Sequence, residues 1–488
     1  MRKLQILKYE MMKASRTNKF LLLVLVHVIP GVIYSQKVYK DVQMGKQYAE
    51  RVEKVFGVYD DARMEAYVEN IGKRLVAALE DPLFDYSFKI IHTSTPNAFA
   101  LPGGYTYVTT GLLPVLESED ELACIMAHEI IHANNRHSIK SMKRGIIPAI
   151  LQLPGNVIGL ISPGAGEMIN RPIKGFGDLG MASYSRKNET EADVEGSALA
   201  AKAGYDPDAL QSALQRIGKY IELITGEKEE KGYLDDHPMT ADRVKRLKKE
   251  AAKLDFKPSD PLSESFKREF QGLLYGENPL HGVIIDSVFY NPEHEFRINI
   301  PQGWVGQIYP ETFAMMDSTR SASLYITYTE SDSTPKEKAA VLRSQLPDPY
   351  KQIMVLDQEV SINNTPAYMM AFEKRTAESE VYAFMLWFRK GGTLIEFSAM
   401  TRPELRKNIE HVPYTLAVLR EADKERVTVE KLELVKTRDN ENLEEFNSRI
   451  SNILSKEITV LINNLSPGQS LPEGKELKVV LKEPYFNQ

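Results

Sequence analysis

The sequence predicts an α+β protein with three folded regions: a mainly helical region with a small sheet, a second α+β region, and a small tail of two strands and two helices. Through most of the first half, apolar residues recur at three- and four-residue steps, the spacing of one helix face. After Pro261 the pattern changes to short alternating strands. A chain of 488 residues is also too long for one ordinary core, which favours several domains.

The first 35 residues have the pattern of a targeting segment. Basic residues precede an apolar run from Phe20 to Tyr34, and Ser35-Gln36 follows as a plausible cleavage point. The run is shorter than the roughly 20 residues that span a bilayer, which favours a removed signal peptide over a permanent anchor. We therefore expect a periplasmic or secreted protein, with membrane association as the alternative.

Charge and cysteine content exclude two classes of protein. The net charge is −6 and no block of basic residues is present, so nucleic acid is not expected as a partner. Cys124 is the single cysteine, so no intramolecular disulfide can form and stability must come from packing.

Helices and two strands are predicted before the first strong motif. Helical spacing runs from Gln36 to about Glu80, and Asp85 to Ile91 alternates as a strand. A Gly-Gly turn separates the stretch Asn97, Ala98, Phe99 and Ala100 from a strand at Tyr105 to Thr109. This hairpin either binds an extended peptide by main-chain pairing or is an interior hairpin.

A helix from about Ser118 to Asn134 carries the motif His-Glu-x-x-His. Ser118 is the expected N-cap, and a glutamate three residues later predicts a capping box. At about 100° per residue, His128 and His132 lie roughly 40° apart around the helix and can share a tetrahedral metal. Glu129 can take a proton from a water on the open position of bound Zn²⁺. The alternative is a chance match with solvated histidines.

A third ligand is needed to complete such a site. His137 lies five residues past His132, about 140° round a continuous helix, and is therefore predicted to be a poor ligand. Glu189 and Asp193 share one face of a helix that continues through Ala203. Glu189 can complete a two-histidine, one-glutamate zinc site, and Asp193 can accept the free imidazole N–H of a ligating histidine. Alternatively, both are favourable charges at a helix start.

Residues 145–172 are apolar but interrupted by prolines and glycines, which argues against a continuous membrane helix. We expect either a lid over the site, or a membrane- or substrate-contacting surface, or a buried connection.

Several ordered motifs accompany these residues. They are His-Glu-Ile-Ile-His at 128–132, Glu-Thr-Glu-Ala-Asp at 189–193 after a Ser-Arg pair, Asn-Ala-Phe-Ala-Leu-Pro-Gly-Gly at 97–104, Ala-Gly-Tyr-Asp-Pro at 203–207 and Asp-His-Pro-Met-Thr-Ala-Asp-Arg at 236–243. Together they resemble the HtpX- and BepA-like branch of the CAAX-prenyl-protease family of zinc metallopeptidases, over about residues 36–254. The multi-span membrane part of the prenyl-protease members is missing from this sequence, so prenylated substrates are not expected.

The resemblance implies a zincin-type metalloprotease fold and a role for each site residue. It implies that His128, His132 and Glu189 bind zinc, that Glu129 is the general base, and that Asp193 supports a zinc ligand. It also implies that the strand at 97–109 borders the cleft, and that His237 lies near the metal. There, His237 either stabilises the oxyanion or caps the free zinc position, with Arg243 supporting it; a helix-capping or turn role is the alternative.

The second half is predicted to begin with alternating strands. Strand-like runs are followed by a helix from Pro403 to Glu421. The runs are Glu295–Ile300, Ser323–Tyr328, Ala367–Phe372, Tyr382–Phe388 and Thr393–Ala399. With Pro-Gln-Gly-Trp at 301–304, the pattern resembles the PsbP- and Mog-type α+β fold. It contains no catalytic constellation, so we expect a binding or docking domain.

The tail from Lys431 to Leu481 is predicted to run strand, helix, helix, strand. This order is similar to that of a LysM module, which implies binding to N-acetylglucosamine-containing glycans such as peptidoglycan. The usual Gly-Asp-Thr after the first strand is replaced by Asp439-Asn440-Glu441, so a purely structural cap is an equal alternative. The predicted boundaries are a signal peptide at 1–35, a metallopeptidase domain at 36–260, an α+β domain at 284–423 and the LysM-like module at 431–482.

Taken together, the sequence predicts an extracytoplasmic Zn²⁺-dependent endopeptidase for protein quality control at the cell envelope. Its expected partners are unfolded or membrane-associated protein substrates, with peptidoglycan as a further candidate. Two other functions stay open: an envelope-tethered chaperone or binding protein with a latent metal site, and a peptidoglycan peptidase.

Overall fold

The computed structural model describes residues 16–142, 184–226, 237, 241–256, 263–319, 321–375, 380–466 and 470–487. The apolar segment at 145–172, predicted to be a lid, a contact surface or a buried connection, lies outside these residues. None of the helices in the described part of the chain is long and apolar enough to cross a membrane.

Eight helices and a three-stranded sheet make up the described part of the first region. The helices are α1 (Arg16–Phe56), α2 (Ala62–Ala78), α3 (Glu119–Asn134), α4 (His137–Met142), α5 (Arg186–Lys202), α6 (Ala209–Thr225), α7 (Ala241–Ala251) and α8 (Ser263–Glu269). The strands are β1 (Ser87–Ile91), β2 (Ala98–Ala100) and β3 (Tyr105–Thr109), in the spatial order β1-β3-β2. Strand β3 pairs in parallel with β1 and antiparallel with β2, so β2 lies at one end of this sheet.

Helix α3 is the centre of the first region. It is buried on every side, in contact with α2, α5, α6 and β2, and the histidines and glutamate of its motif are buried as well. Ser118 caps it by accepting a hydrogen bond from the backbone N–H of Glu121 at 3.2 Å. The predicted capping box is wrong in its second half, because the carboxylate of Glu121 accepts from the N–H of Glu117 and pairs with Arg216 instead. A nearby buried cation competes more strongly for this carboxylate than a backbone N–H does.

The second region is built around a seven-stranded antiparallel sheet in the order β10-β11-β12-β13-β9-β8-β7. Its strands are β7 (Trp304–Tyr309), β8 (Thr312–Asp317), β9 (Ala322–Glu330), β10 (Met354–Ile362), β11 (Thr365–Arg375), β12 (Glu380–Lys390) and β13 (Thr393–Thr401). A smaller sheet, β14-β6-β5-β4, is formed by β4 (Val283–Ile285), β5 (Val288–Asn291), β6 (Phe296–Asn299) and β14 (Ala417–Val418). Helices α9 (Pro335–Gln345) and α10 (Asp348–Lys351) connect β9 to β10.

The predicted single helix from Pro403 to Glu421 is wrong. This stretch forms a 3-10 turn at Pro403–Leu405, a short helix α11 (Arg406–Glu410), a second 3-10 turn at Val412–Thr415 and strand β14. Pro413 has no backbone N–H to donate and its ring clashes with the preceding turn, so a helix cannot continue through it. A short helix α12 (Glu421–Lys424) then leads to the tail.

The tail has the predicted order of elements: β15 (Thr428–Lys436), α13 (Leu443–Ile450), α14 (Lys456–Ile462) and β16 (Glu476–Pro484). Strands β15 and β16 form an antiparallel hairpin. The tail also shares a core with the first region, because Leu432, Leu454, Ile462 and Val480 pack into the same buried cluster as α3. In addition, the buried Lys478 donates to the carbonyls of Pro114 and Leu116, 2.9 and 2.6 Å away, just before α3 begins.

Candidate metal centre

Helix α3 presents two histidines toward one point. His128 and His132 are fully buried, and their Nε2 atoms lie 2.9 Å apart. This follows from their spacing, because residues four apart lie on the same side of a helix. Glu129, next to His128, is also fully buried. The structure therefore brings the three residues of the His-Glu-x-x-His motif to one side of α3.

Helix α5 supplies the carboxylates that face these histidines. It begins after the N-cap Ser185 and carries Glu189 in its first turn. A glycine allows the two helices to pack this closely: a Cβ on Gly196 would lie 3.0 Å from the Cα of His128. Any larger residue at this position would force α5 away from α3.

Four side chains place potential metal-binding atoms close together. The group consists of His128, His132, Glu189 and His237, and its ligand atoms all lie within 4.8 Å of one another. The Nε2 of His128 is 3.1 Å from the Nδ1 of His237, and the Nε2 of His132 is 3.3 Å from Glu189. Ligand atoms bound to one tetrahedral Zn²⁺ lie about 3.3 Å apart, given metal–ligand distances near 2.0 to 2.1 Å. Three imidazoles and a carboxylate are also donors that zinc accepts, so these residues fit that metal.

The electrostatics of the cluster also suit a cation. Burial lowers the pKa of His132 well below its ordinary value, which keeps the ring in the neutral form that binds metals. Burial alone would raise the pKa of Glu189, but the positive charge on His237 and hydrogen bonds from His132 and His237 hold it far below its usual range. Burial alone would lower the pKa of His237, but the nearby carboxylates of Glu189 and Glu129 outweigh it and raise this pKa to about 9.

The ring of His237 lies between the metal ligands and the expected general base. Its Nδ1 is 3.1 Å from Glu189, and its Nε2 is 3.3 Å from Glu129. Its backbone carbonyl accepts a hydrogen bond of 2.7 Å from Arg243. His237 therefore occupies the position where a fourth zinc ligand would lie, and a water or substrate oxygen at that position would have to displace it.

Asp193 and two arginines form a second layer behind the histidines. An oxygen of Asp193 is 3.3 Å from the Nδ1 of His128, the nitrogen that faces away from the other ligands. Arg243 and Arg246, both on α7, bind the same carboxylate, and Arg243 also lies 3.2 Å from Glu189. Sequence reasoning singled out Asp193 and Arg243 but missed Arg246.

The Nδ1 of His132 faces His137, which sequence spacing predicts to be a poor metal ligand. The Nδ1 atoms of His137 and His132 are 3.1 Å apart, and both side chains are fully buried. The 140° separation assumed a continuous helix, whereas α3 ends at Asn134 and α4 begins at His137. The Asn-Asn pair at 134–135 was a signal for this helix end, because asparagine is favoured there. His137 is not among the four potential ligands.

Tyr184 packs against His132 as well, and sequence reasoning missed this contact too. Its ring stacks on His132 with a centroid distance of 3.9 Å. Its hydroxyl is 2.9 Å from Ser138, whose hydroxyl donates to the carbonyl of Ala100 in β2. A chain of contacts therefore joins the metal cluster to strand β2.

The four residues predicted to form a substrate strand lie at the end of the small sheet. Ala98, Phe99 and Ala100 form β2, and Asn97 precedes it, its side chain accepting from the N–H of Ala98. All four are buried, and β2 packs against α3. The structure thus places this strand beside the metal helix. Among the described residues no second group of three or more potential metal ligands occurs, in the β-rich region or in the tail.

Comparison with known proteins finds similarity in the first region. Residues 62–251 match the family described as peptidase family M48. A Vibrio cholerae protein described provisionally as a beta-barrel assembly-enhancing protease is 35% identical over 192 residues, which is 38% of this chain and 39% of that protein. The beta-barrel assembly-enhancing protease of Escherichia coli K12 is 29% identical over 182 residues, 36% of this chain and 37% of that protein.

A eukaryotic relative matches the same part of the chain. The mitochondrial metalloendopeptidase OMA1 of Schizosaccharomyces pombe is 30% identical over 211 residues, 41% of this chain and 59% of that protein. The chain thus spans between 37% and 59% of the length of these relatives.

Proposed function

We propose that this protein, whose residues 62–251 match peptidase family M48, is a zinc-dependent endopeptidase that acts outside the cytoplasm in cell-envelope protein quality control. The observation that carries the proposal is the buried group of His128, His132, Glu189 and His237, whose potential ligand atoms all lie within 4.8 Å of one another. Relatives named as a beta-barrel assembly-enhancing protease and a metalloendopeptidase support the same reaction class.

In this proposal, each residue of the site has a separate role in peptide hydrolysis. His128, His132 and Glu189 would hold Zn²⁺, which supplies Lewis-acid polarisation of the scissile carbonyl when bound. Glu129 takes a proton from the attacking water, so that the water oxygen forms a bond to the carbonyl carbon. The same carboxylate then gives the proton to the amine nitrogen as the C–N bond breaks. Because Glu129 is fully buried, its electrostatic interactions are stronger than they would be in water.

One further residue and one strand control the reaction in this proposal. His237, whose Nδ1 lies with the ligand atoms, caps the metal position at rest and moves aside when substrate enters. Strand β2, together with Asn97, pairs with the backbone of an extended substrate and aligns its scissile bond. Recognition through the backbone suits unfolded proteins, because it needs an extended segment and little side-chain specificity.

The site of action and the substrates follow from the targeting segment and the relatives. The apolar run from Phe20 to Tyr34 supports export, and the name of the Escherichia coli relative supports substrates in β-barrel assembly. The β-rich second region would bind substrate or partner proteins. The LysM-like tail either binds glycan or stabilises the peptidase domain by packing against it.

A charge-neutral substitution of the general base tests the proposal. The purified full chain and its Glu129→Gln variant are incubated with an unfolded protein such as casein, with zinc content measured in both. We expect comparable zinc content and a loss of cleavage of several orders of magnitude, because Gln cannot accept the water proton. As a control, Glu195→Gln removes an exposed charge on α5 and is expected to cleave like the parent.

Two other results would favour the alternatives. Equal clearance of substrate by parent and Glu129→Gln would favour an envelope chaperone or binding protein with a latent metal site. Release of crosslinks from purified sacculi without casein cleavage would favour a peptidoglycan peptidase.

A further inference from the structure

His137 lies directly behind one of the expected zinc ligands. The Nε2 of His132 faces His128 and Glu189, while its Nδ1 faces the Nδ1 of His137 at 3.1 Å. Both rings are fully buried, and the planes cross at 75°. A contact between two ring nitrogens at this distance is a hydrogen bond, so one of them carries a proton and the other accepts it.

The break between α3 and α4 creates this contact. Arg136 has a left-handed backbone conformation, with φ of 58°, which turns the chain between the two helices. This conformation is unfavourable for a non-glycine residue, so contacts elsewhere must hold it. The guanidinium of Arg136 is held by the buried Asp41, with Nη2 donating to Oδ1 at 3.0 Å. The turn is therefore anchored from α1, and it brings His137 back onto His132.

The direction of the proton follows from the expected metal. A histidine that binds zinc through Nε2 is neutral and carries its proton on Nδ1. His132 must then donate to the Nδ1 of His137, which places the proton of His137 on its Nε2. That nitrogen lies 3.7 Å from the carboxylate of Glu191 on α5. Asn135 holds this carboxylate by donating to Oε1 at 3.1 Å.

We infer that His137 is a positioning residue for the zinc ligand His132, and that Glu191 orients His137 in turn. The inference rests on the proposed function only in taking the buried cluster as a zinc site. Each α3 ligand then has its own support from α4 or α5: Asp193 faces the outer nitrogen of His128, and His137 with Glu191 faces that of His132. Fixing ring orientation and tautomer in this way typically contributes 10- to 100-fold in metal affinity.

Substitutions at His137 separate this role from simple packing. His137→Leu removes the acceptor for the Nδ1 proton of His132. His137→Asn keeps an acceptor, because its amide oxygen can occupy the position of Nδ1. Ile139→Ala is the matched control, since Ile139 is also buried on α4 but is not among the metal-cluster residues. Glu191→Ala, on a side chain one-third exposed, tests the outer part of the relay with little risk to folding.

The readouts do not depend on peptidase activity. Zinc dissociation constants are measured on the full chain by competition with a chromogenic chelator, and the ligand field is followed by visible absorption of the Co²⁺-loaded protein. We expect about 10- to 100-fold weaker zinc binding and an altered Co²⁺ spectrum for His137→Leu. His137→Asn and Ile139→Ala should stay close to the parent, and Glu191→Ala should fall between the two groups.

Three results would overturn the inference. They are parent-like zinc affinity in both His137→Leu and Glu191→Ala, a loss in His137→Asn as large as in His137→Leu, and an equal loss in Ile139→Ala. If His137→Leu does not fold, Glu191→Ala and His137→Asn decide the question alone. A parent that binds no zinc would remove the proposed function as well, whereas an active parent with unaffected variants would remove only the role of His137.

Discussion

Arg243 binds Asp193 through two parallel contacts, with Nη2 donating to Oδ1 at 2.8 Å and Nε donating to Oδ2 at 3.0 Å. The same aspartate faces the Nδ1 of His128 at 3.3 Å. Burial alone would raise the pKa of Asp193, but the hydrogen bond with His128 and the charge of Arg243 hold it well below its usual range. The carboxylate is thus kept charged where it faces His128, an expected metal ligand.

Substituting Asp193 should weaken the metal site without removing a ligand. We expect Asp193→Asn to bind zinc about 10- to 100-fold more weakly, because the amide lacks the charge that orients His128 and pairs with Arg243. Chelator competition measures the change. Glu195→Gln, on the same helix, is the control, and an unchanged dissociation constant in Asp193→Asn would contradict the role.

Removing the ring of His237 should expose the metal. If His237 caps the site, His237→Ala binds a metal-chelating peptide hydroxamate more tightly than the parent does, and its kcat does not fall. Titration with the inhibitor and initial rates with a quenched peptide give both values. A fall in kcat of about 100- to 1,000-fold would instead assign His237 to oxyanion stabilisation.

The tail and the peptidase domain should unfold as one unit. Leu432 is 1% exposed and packs in the core that contains α3, so Leu432→Ala should cost about 2 to 5 kcal/mol. The temperature at which peptidase activity is lost should fall with it. The comparison variant is Leu324→Ala, in the separate core of the second region. If only Leu324→Ala shifts the loss of activity, the shared core does not couple these parts.

Mild acid should weaken the contact between the first and second regions. Burial and then the nearby His281 lower the pKa of His92 to about 4, and burial lowers that of His281 to about 4 as well. The rings pack edge to face, 6.1 Å apart. Between about pH 6.5 and 4 the unfolded chain binds protons that the folded chain does not, so stability falls as pH falls through this window.

Comparing the parent with the His92→Gln variant isolates the contribution of His92 to the pH dependence of stability. We expect the melting temperature of the parent to fall more steeply from pH 7 to pH 4.5 than that of His92→Gln, whose side chain does not titrate. Differential scanning calorimetry in matched buffers measures both slopes. Parallel slopes would show that His92 does not contribute.

Local sequence patterns predicted a large part of the fold. The strands at 323–328, 367–372, 382–388 and 393–399 all lie within observed strands, because a run of aromatic and β-branched residues is a local property of the sequence. The helix from 403 to 421 was wrong because proline interrupts it. Strand β10 was missed, since charged and polar residues fill most of its exposed positions at a sheet edge.

The metal site, like the fold, could be predicted only in part from local sequence. By itself, the sequence determined that the histidine pair and Glu129 lie together on α3 and that Glu189 and Asp193 share a face of α5, because each set lies at helical spacing within one short motif. The match to peptidase family M48 confirms the family that these motifs resembled.

Only the tertiary structure decided how these pieces meet. The left-handed turn at Arg136 brings His137 onto His132, and the close approach at Gly196 brings α5 onto α3. The buried Lys478 ties the tail to the residues before α3 across more than 350 positions of sequence. Such contacts depend on where distant segments pack, and no local periodicity in the chain records them.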